Sequence, residues 1–501
     1  MLRPWKMSLS IRRNDGLPVY LQIAQYFVEE ICRGRLPPGA PLPGSRAVAE
    51  ALGVNRKTSV LAYEELIAQG WLRSQGRRAT FVAPELPATP LSGPLPAGDG
   101  RPAQPLTPSY ALYGEVLADA PAPADAVVFS DGVPDTRLIP FDILGRAYRR
   151  ALIAAARANR LAYGDPRGEA VLRRELAVML SAERGLQVGV DNICVVRGSQ
   201  MGIYLVARLL ARSGDHVAVD ALSYPPAREA FRASGAQVHG VDMDALGMRP
   251  DALERLCRRH PVRAVYLTPH HQFPTTVLMP AERRMHLLAL AEQFGFAIVE
   301  DDYDHEFHFA RRPMYPMASG ELTGRVIYVG SLSKVLAPGL RVGYVVGPKA
   351  VIDRCATEIQ RIDRQGNGVT ELAVADLMQS GELRRHTRRA LRIYQERRRL
   401  MAGLASGMVP WADFTLPDGG LALWLRLDPA LDGELLVHAA REEGVVVASS
   451  RAFAHDGRAV AGLRLGYGNL APDEMEAGMS GLRRAMERVV RGAASARNPN
   501  E

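Results

Sequence analysis

The densest chemistry in the chain lies at Ser331-Leu332-Ser333-Lys334, with Arg341 seven residues beyond the lysine. The amine can form a Schiff base with an aldehyde, while Ser331, Ser333 and Arg341 offer donors to a phosphate dianion on the same molecule. Pro338-Gly339 turns the chain so that Arg341 comes back toward the lysine. One isolated lysine would read as a solvated loop residue, so the residues upstream decide. Gly198-Ser199-Gln200 follows an apolar run and opens a helical stretch, where amides and the Ser199 hydroxyl face an anion or merely cap the helix. Leu222-Ser223-Tyr224-Pro225-Pro226 offers Tyr224 to stack on a flat ring, or is an ordinary turn. Glu300-Asp301-Asp302-Tyr303 closes another apolar run. A carboxylate buried there needs a cationic partner, and a protonated pyridine nitrogen is one of few available; the rival is a surface acidic turn. Amine, carboxylate, phosphate donors and aromatic together meet the requirements of pyridoxal phosphate (PLP).

These groups need strands to hold them. Apolar runs at 193–196, 216–219, 264–267, 297–300 and 326–329 alternate with helical stretches such as 200–212 and 281–293. The alternation predicts an α/β domain over residues 126–490, a largely parallel sheet with helices on both faces and functional groups at the strands' carboxyl ends.

The first part of the chain differs in character. Residues 16–83 read as a small helical domain: a helix near 17–31, a short helix 45–52 with Ser45 as N-cap, a turn at Gly53, then a helix capped by Asn55 and running to about Gln69. Val60, Tyr63, Leu66 and Ile67 are expected inside, while the first turn Arg56-Lys57-Thr58-Ser59 stays polar, basic and exposed. A two-stranded wing follows at 71–82, with Arg77 and Arg78 at its tip. Such a helix start suits phosphates and base edges; the alternative is a solvated basic face. Residues 84–125 are rich in Pro and Ala and read as a semi-stiff tether, with Tyr110, Leu112 and Tyr113 able to dock locally.

Bulk properties agree with two modules. A chain of 501 residues with 47% hydrophobic content can build more than one core. Of the net charge of +8, most of the surplus sits up to Ala83, where twelve Lys or Arg face six Asp or Glu, pointing to a polyanion partner for that segment. The four cysteines show no zinc spacing and no disulfide framework, so no metal centre is expected. No apolar run suggests a signal peptide or a membrane span, and a cytoplasmic protein is expected.

Leu42-Pro43-Gly44-Ser45-Arg46, Leu52-Gly53-Val54-Asn55-Arg56-Lys57-Thr58 and Thr80-Phe81-Val82 resemble the winged helix-turn-helix of GntR-type bacterial regulators. The resemblance implies contacts to double-stranded operator DNA from Ser45, Arg46, Arg56, Lys57, Thr58 and the wing tip, Arg77 and Arg78. The wing departs from the family pattern in lacking a second glycine two residues after Gly76. The order Gly198-Ser199-Gln200, Tyr224, Asp301-Asp302-Tyr303, Ser331-Leu332-Ser333-Lys334 and Arg341 is similar to fold-type-I aminotransferases, PLP-dependent transferases with a large domain and a small C-terminal α+β subdomain. That resemblance implies a Schiff base at Lys334, Asp301 on the pyridine nitrogen, Tyr303 on the ring hydroxyl and Tyr224 on the ring face. It puts Ser199, Gln200, Ser331, Ser333 and Arg341 on the phosphate, Tyr163 on the neighbouring subunit's phosphate, and Arg464 on the carboxylate of an amino compound. Phe273 stands where many such enzymes carry asparagine, and Thr276 where glycine is usual.

The winged helix joined to such a domain, with His271-Gln272-Phe273-Pro274, resembles the MocR subfamily. It implies a head-to-tail homodimer and a PLP-dependent transcriptional regulator sensing an amino compound, or PLP itself, by aldimine exchange at Lys334. The alternative is a working aminotransferase with an accessory DNA-binding domain.

Overall fold

The computed structural model describes residues 17–75, 79–87, 125–309, 314–320 and 324–497, with Leu9, Ile11, Tyr110 and Pro123 besides. The chain forms two compact units, residues 1–117 and 118–501.

In the first unit, Pro18 stands just before α1 (Val19–Cys32), where its missing amide costs no helix bond. The apolar stripe Ile23, Phe27 and Ile31 faces α3 (Arg56–Ala68), and Val48 joins it from α2 (Ser45–Leu52). The Tyr63 ring meets Phe27 edge-on at 5.5 Å, and its hydroxyl donates to the Pro43 carbonyl at 2.6 Å. Gly53 ends α2 at φ +63, and Asn55 Oδ1 accepts the Lys57 amide at 2.9 Å, so α3 begins where its cap requires. Strands β1 (Leu72–Gln75) and β2 (Ala79–Val82) form the antiparallel wing. Its tip, with Arg77 and Arg78, lies outside the described residues.

Three expectations here need correcting. Ser45 is not the N-cap: Gly44 takes that position, extended at φ −61 and ψ 150, and Ser45 is already helical and makes no cap bond. Ser59 is fully buried, because it lies one turn before Ala62 and Tyr63 on the apolar face of α3. Ile67, one position past Leu66, is rotated off that face and is 39% exposed. Of the tether residues expected to dock, Tyr110 is exposed, and Leu112 and Tyr113 lie outside the described residues.

The second unit opens with α4 (Phe141–Arg157) and α5 (Ala170–Arg184). The sheet-building part then alternates β3 (Ile193–Val196), α6 (Ser199–Leu210), β4 (His216–Asp220), α7 (Pro225–Ala233), β5 (Gln237–Val241), α8 (Pro250–Arg259), β6 (Val262–Leu267), α9 (Ala281–Phe294), β7 (Ala297–Asp302), β8 (Val326–Ser331) and β9 (Gly343–Val346). The seven strands lie in the order β3-β9-β8-β7-β6-β4-β5, parallel except for β9. Helices cover both faces, α6 and α7 on one and α5, α8 and α9 on the other. The inner strands are buried on both sides, which is why they read as continuous apolar runs rather than alternating ones.

After α10 (Lys349–Ile362), α11 (Gly368–Gln379) and α12 (Glu382–Ser406), a second core forms around an antiparallel sheet. Its strands are β10 (Ala412–Phe414), β11 (Ala422–Leu427) and β12 (Gly462–Gly466), packed by α13 (Gly433–Glu442) and α14 (Pro472–Arg497).

Losing the Asn55 cap bond costs about 1 kcal/mol. Asn55→Ala should therefore speed amide hydrogen exchange through the first turn of α3 about fivefold in the full chain, with exchange in β7 and β8 unchanged.

Candidate functional site

The carboxyl ends of β3, β6, β7 and β8 carry the polar groups singled out in the sequence. After β3 the chain turns at Gly198, φ +78, directly into α6, so Ser199 is its first helical residue. The antiparallel β9 sets Gly343 opposite both Ser331 and Val196. A Cβ on Gly343 would lie 2.7 Å from the Gly198 carbonyl carbon and the Ser199 amide nitrogen, so only glycine allows this approach. The 3-10 turn Pro338–Leu340 leads to Arg341 in the left-handed region at φ +52. Its guanidinium lies against Gly198 and donates to the Arg197 carbonyl at 3.0 Å. Ser331, Ser199, Arg341 and the start of α6 are thus brought together, and their donors and the helix N-terminus suit a phosphate. Ser333 presents a buried hydroxyl with no hydrogen-bond partner, while its amide donates to Ser331 Oγ at 3.1 Å.

Lys334 Nζ donates to the Gly132 carbonyl at 2.7 Å. Burial pushes its amine down to about 8; the Asp304 carboxylate opposes this and the Arg464 cation adds to it. At the end of β7, Asp301 is fully enclosed. Tyr266, from β6, donates to its Oδ2 at 2.7 Å, but its Oδ1 has no partner. Burial raises this carboxyl to about 7 despite the Tyr266 bond. An acceptor so placed fits a protonated ring nitrogen, which would restore its charge.

The Tyr224 ring meets Phe273 edge-on at 5.1 Å, and burial pushes its hydroxyl up to about 12. Gln200 Nε2 donates to the Pro226 carbonyl at 3.0 Å, bracing the turn that carries Tyr224, and leaves its Oε1 unpaired. Tyr303 donates to the His271 carbonyl at 2.9 Å. Phe273 has taken a different role from the asparagine it replaces: its face lies under the Arg464 guanidinium, 4.4 Å from ring centroid to carbon. Thr276 occupies the left-handed region at φ +62, so the turn keeps a glycine-like shape without glycine.

Arg464, on the edge strand β12, is 2% exposed. It donates to the carbonyls of Pro274 at 2.9 Å and Asp131 at 3.4 Å and reaches the Tyr303 hydroxyl at 3.5 Å; its Nε has no partner. No carboxylate pairs with it among the described residues. Tyr163 stands on the surface, 77% exposed, under the Arg364 guanidinium. In the first unit, Arg46, Arg56 and Lys57 are exposed, and Ser45 and Thr58 half-buried, at the starts of α2 and α3.

Sequence reasoning missed Tyr266, Gly132 and the buried His271–Asp304 pair, Nδ1 to Oδ1 at 2.7 Å. Tyr266 looks like any core aromatic on a strand, and Gly132 acts through its carbonyl, so neither has a sequence signal.

Residues 127–486 match the model of the aminotransferase class I and II family, and residues 19–82 that of the bacterial regulatory proteins of the gntR family. The probable rhizopine catabolism regulatory protein MocR of Rhizobium meliloti is 30% identical over 95% of this chain and 95% of its own length. The chain belongs to the MocR-type GntR regulators. The regulator is also 28% identical to the HTH-type pyridoxine biosynthesis transcriptional regulator PdxR of Corynebacterium glutamicum, over 94% of this chain and 96% of that one. The multiple substrate aminotransferase of Thermococcus profundus superposes with a TM-score of 0.70 at 27% identity, covering 74% of this chain and 93% of that one. The protein is a PLP-dependent transcriptional regulator, with a DNA-binding winged helix and a fold-type-I aminotransferase domain. No helix among the described residues is long and apolar enough to cross a membrane.

PLP supplies an aldehyde that condenses reversibly with primary amines; were Lys334 the amine that holds it, only its neutral form would attack. With the amine at about 8, its neutral fraction falls about tenfold for each pH unit below that value and is nearly constant above. Stopped-flow capture of PLP by the cofactor-free protein should accelerate with that slope up to about pH 8 and then level off. A rate still climbing tenfold per unit at pH 10 would show an ordinary lysine.

Proposed function

We propose that this regulator responds to a small compound carrying both a primary amine and a carboxylate. The amine displaces Lys334 from the cofactor while Arg464 clamps the carboxylate. The observation that carries this reading is Arg464 itself, a buried guanidinium whose partners among the described residues are neutral oxygens and whose Nε has none. A buried cation without a counter-ion is costly, and a bidentate carboxylate is the partner its geometry suits. In this reading Lys334 holds the cofactor, Asp301 the ring nitrogen, and Tyr224 and Tyr303 the ring. Ser199, Gln200, Ser331, Ser333 and Arg341 hold the phosphate, and Tyr163 serves the partner subunit of a head-to-tail dimer. Ser45, Arg46, Arg56, Lys57 and Thr58 meet double-stranded operator DNA, and the effector biases the module by binding one arrangement more tightly than another.

The full-length protein loaded with PLP is titrated with a panel of amino acids and related amines, following cofactor absorbance and binding to an operator selected from random duplexes. One class of ligand should shift both. Arg464→Lys should weaken the shift by about tenfold to a hundredfold for carboxylate-bearing ligands, and much less for simple amines, because it loses the planar fork. Lys334→Ala should abolish the visible band of the wild type. Sustained keto-acid release would instead identify a catalyst, and equal weakening for both ligand types would remove Arg464 from the effector site.

A further inference from the structure

The side chains of His270, Asp302 and His305 meet outside the cofactor residues. His270 sits in the loop after β6, Asp302 is the last residue of β7, and His305 lies in the turn that follows. All three are buried to within 4% of full enclosure. One ligand atom from each lies within 4.8 Å of the others. The alternation of a strand turns Asp302 away from the face that Asp301 uses, so the cluster is separate from the cofactor's carboxylate.

The cluster is not closed by its own hydrogen bonds. His270 Nδ1, Asp302 Oδ1 and both ring nitrogens of His305 lack hydrogen-bond partners. His305 Nδ1 lies 2.9 Å from Asp302 Oδ2, near enough to attract but without the alignment of a hydrogen bond. Buried polar atoms are nearly always satisfied, so three neighbouring side chains that each keep an unpaired atom, with one ligand atom apiece within 4.8 Å, suit an occupant. Nitrogen and carboxylate donors suit a borderline divalent transition metal rather than calcium or magnesium.

The surroundings supply the rest of such a site. The Tyr328 hydroxyl donates to Asp302 Oδ2 at 2.7 Å, fixing the carboxylate in the manner of an outer-sphere partner. The His308 ring centroid lies 5.8 Å from that of His305 and 6.5 Å from that of His270. Its Nδ1 donates to the His305 carbonyl at 2.7 Å, which leaves Nε2 as the free lone pair. Close by, Glu306 pairs with Arg184. A cavity of about 400 Å³ is lined by His305, Glu306 and His308, which places it beside the cluster.

We propose that His270, Asp302 and His305 form a binding site for a divalent transition metal of the zinc class. The bland alternative is an Asp302–His305 ion pair with no affinity for metal.

The test uses untagged full-length protein carrying PLP, stripped with a chelator and titrated with Co2+ and then Zn2+. One equivalent of Co2+ should bind with the ligand-field bands of a four-coordinate nitrogen-oxygen site, and Zn2+ should displace it. His270→Ala and His305→Ala should each weaken Zn2+ binding more than about tenfold, and Tyr328→Phe by about tenfold through the loss of its bond to Asp302. Retained cofactor absorbance in the variants reports an intact fold. Should the alanine variants fail to fold, the wild type and the milder Tyr328→Phe decide the matter. The proposal is overturned if the wild type takes up no metal. It is equally overturned if binding survives all three changes; loss in His239→Ala would then place the ion at the separate group of His216, His239 and His260, whose ring centroids lie 4.4 to 5.1 Å apart.

Discussion

A carboxylate enclosed at the end of a central strand, with one oxygen bonded and the other bare, sets the terms for this fold. Asp301 cannot be hydrated there, and among the described residues no hydrogen bond reaches its free oxygen. Burial raises its carboxyl to about 7, so that only part of it is ionised at neutrality, and a cationic group from outside the chain would favour the charged form. PLP is such a group. The sheet around Asp301 is rigid because β6 and β8 pair with β7 on both sides and helices seal both faces.

The same economy of partners recurs around it. Lys334 is held by a backbone carbonyl rather than a carboxylate, which leaves its amine easily neutralised. Arg464 is likewise held by carbonyls and by the face of Phe273, and keeps its charge uncompensated. Asp301 lacks a partner on one oxygen and Arg464 lacks a carboxylate among the described residues, so each can be completed by a group from outside the chain. In a regulator, a ligand that does so can change the balance between arrangements because its charges are satisfied in one of them and not in another.

The antiparallel β9 has a part larger than its four residues suggest. It carries Gly343 against the start of α6 and follows directly on Arg341, so a single short strand joins the turn after Lys334 to the helix terminus. Any side chain at Gly343 would push these apart.

Much of this was legible in the sequence where the cause is local. The buried strands announced themselves as apolar runs, Asn55 as a cap two residues from the amide it accepts, and Gly53 as a turn, because each depends on neighbours a few residues away. The errors were local too: Ser45 looked like a cap by type, but the backbone had already turned helical there, and Ser59 was placed outside by its polarity although its spacing put it inside. The sequence by itself thus determined two modules, the α/β alternation and the residue types able to serve a phosphate, an aldehyde and a ring nitrogen. Only the tertiary structure decided which atoms are left without partners. Gly132 reaches Lys334 across 202 residues, Pro274 reaches Arg464 across 190, and Tyr266 comes to Asp301 from the next strand. Whether a buried group is satisfied depends on every chain segment that packs against it, and that is a property of the assembled fold rather than of any stretch within it.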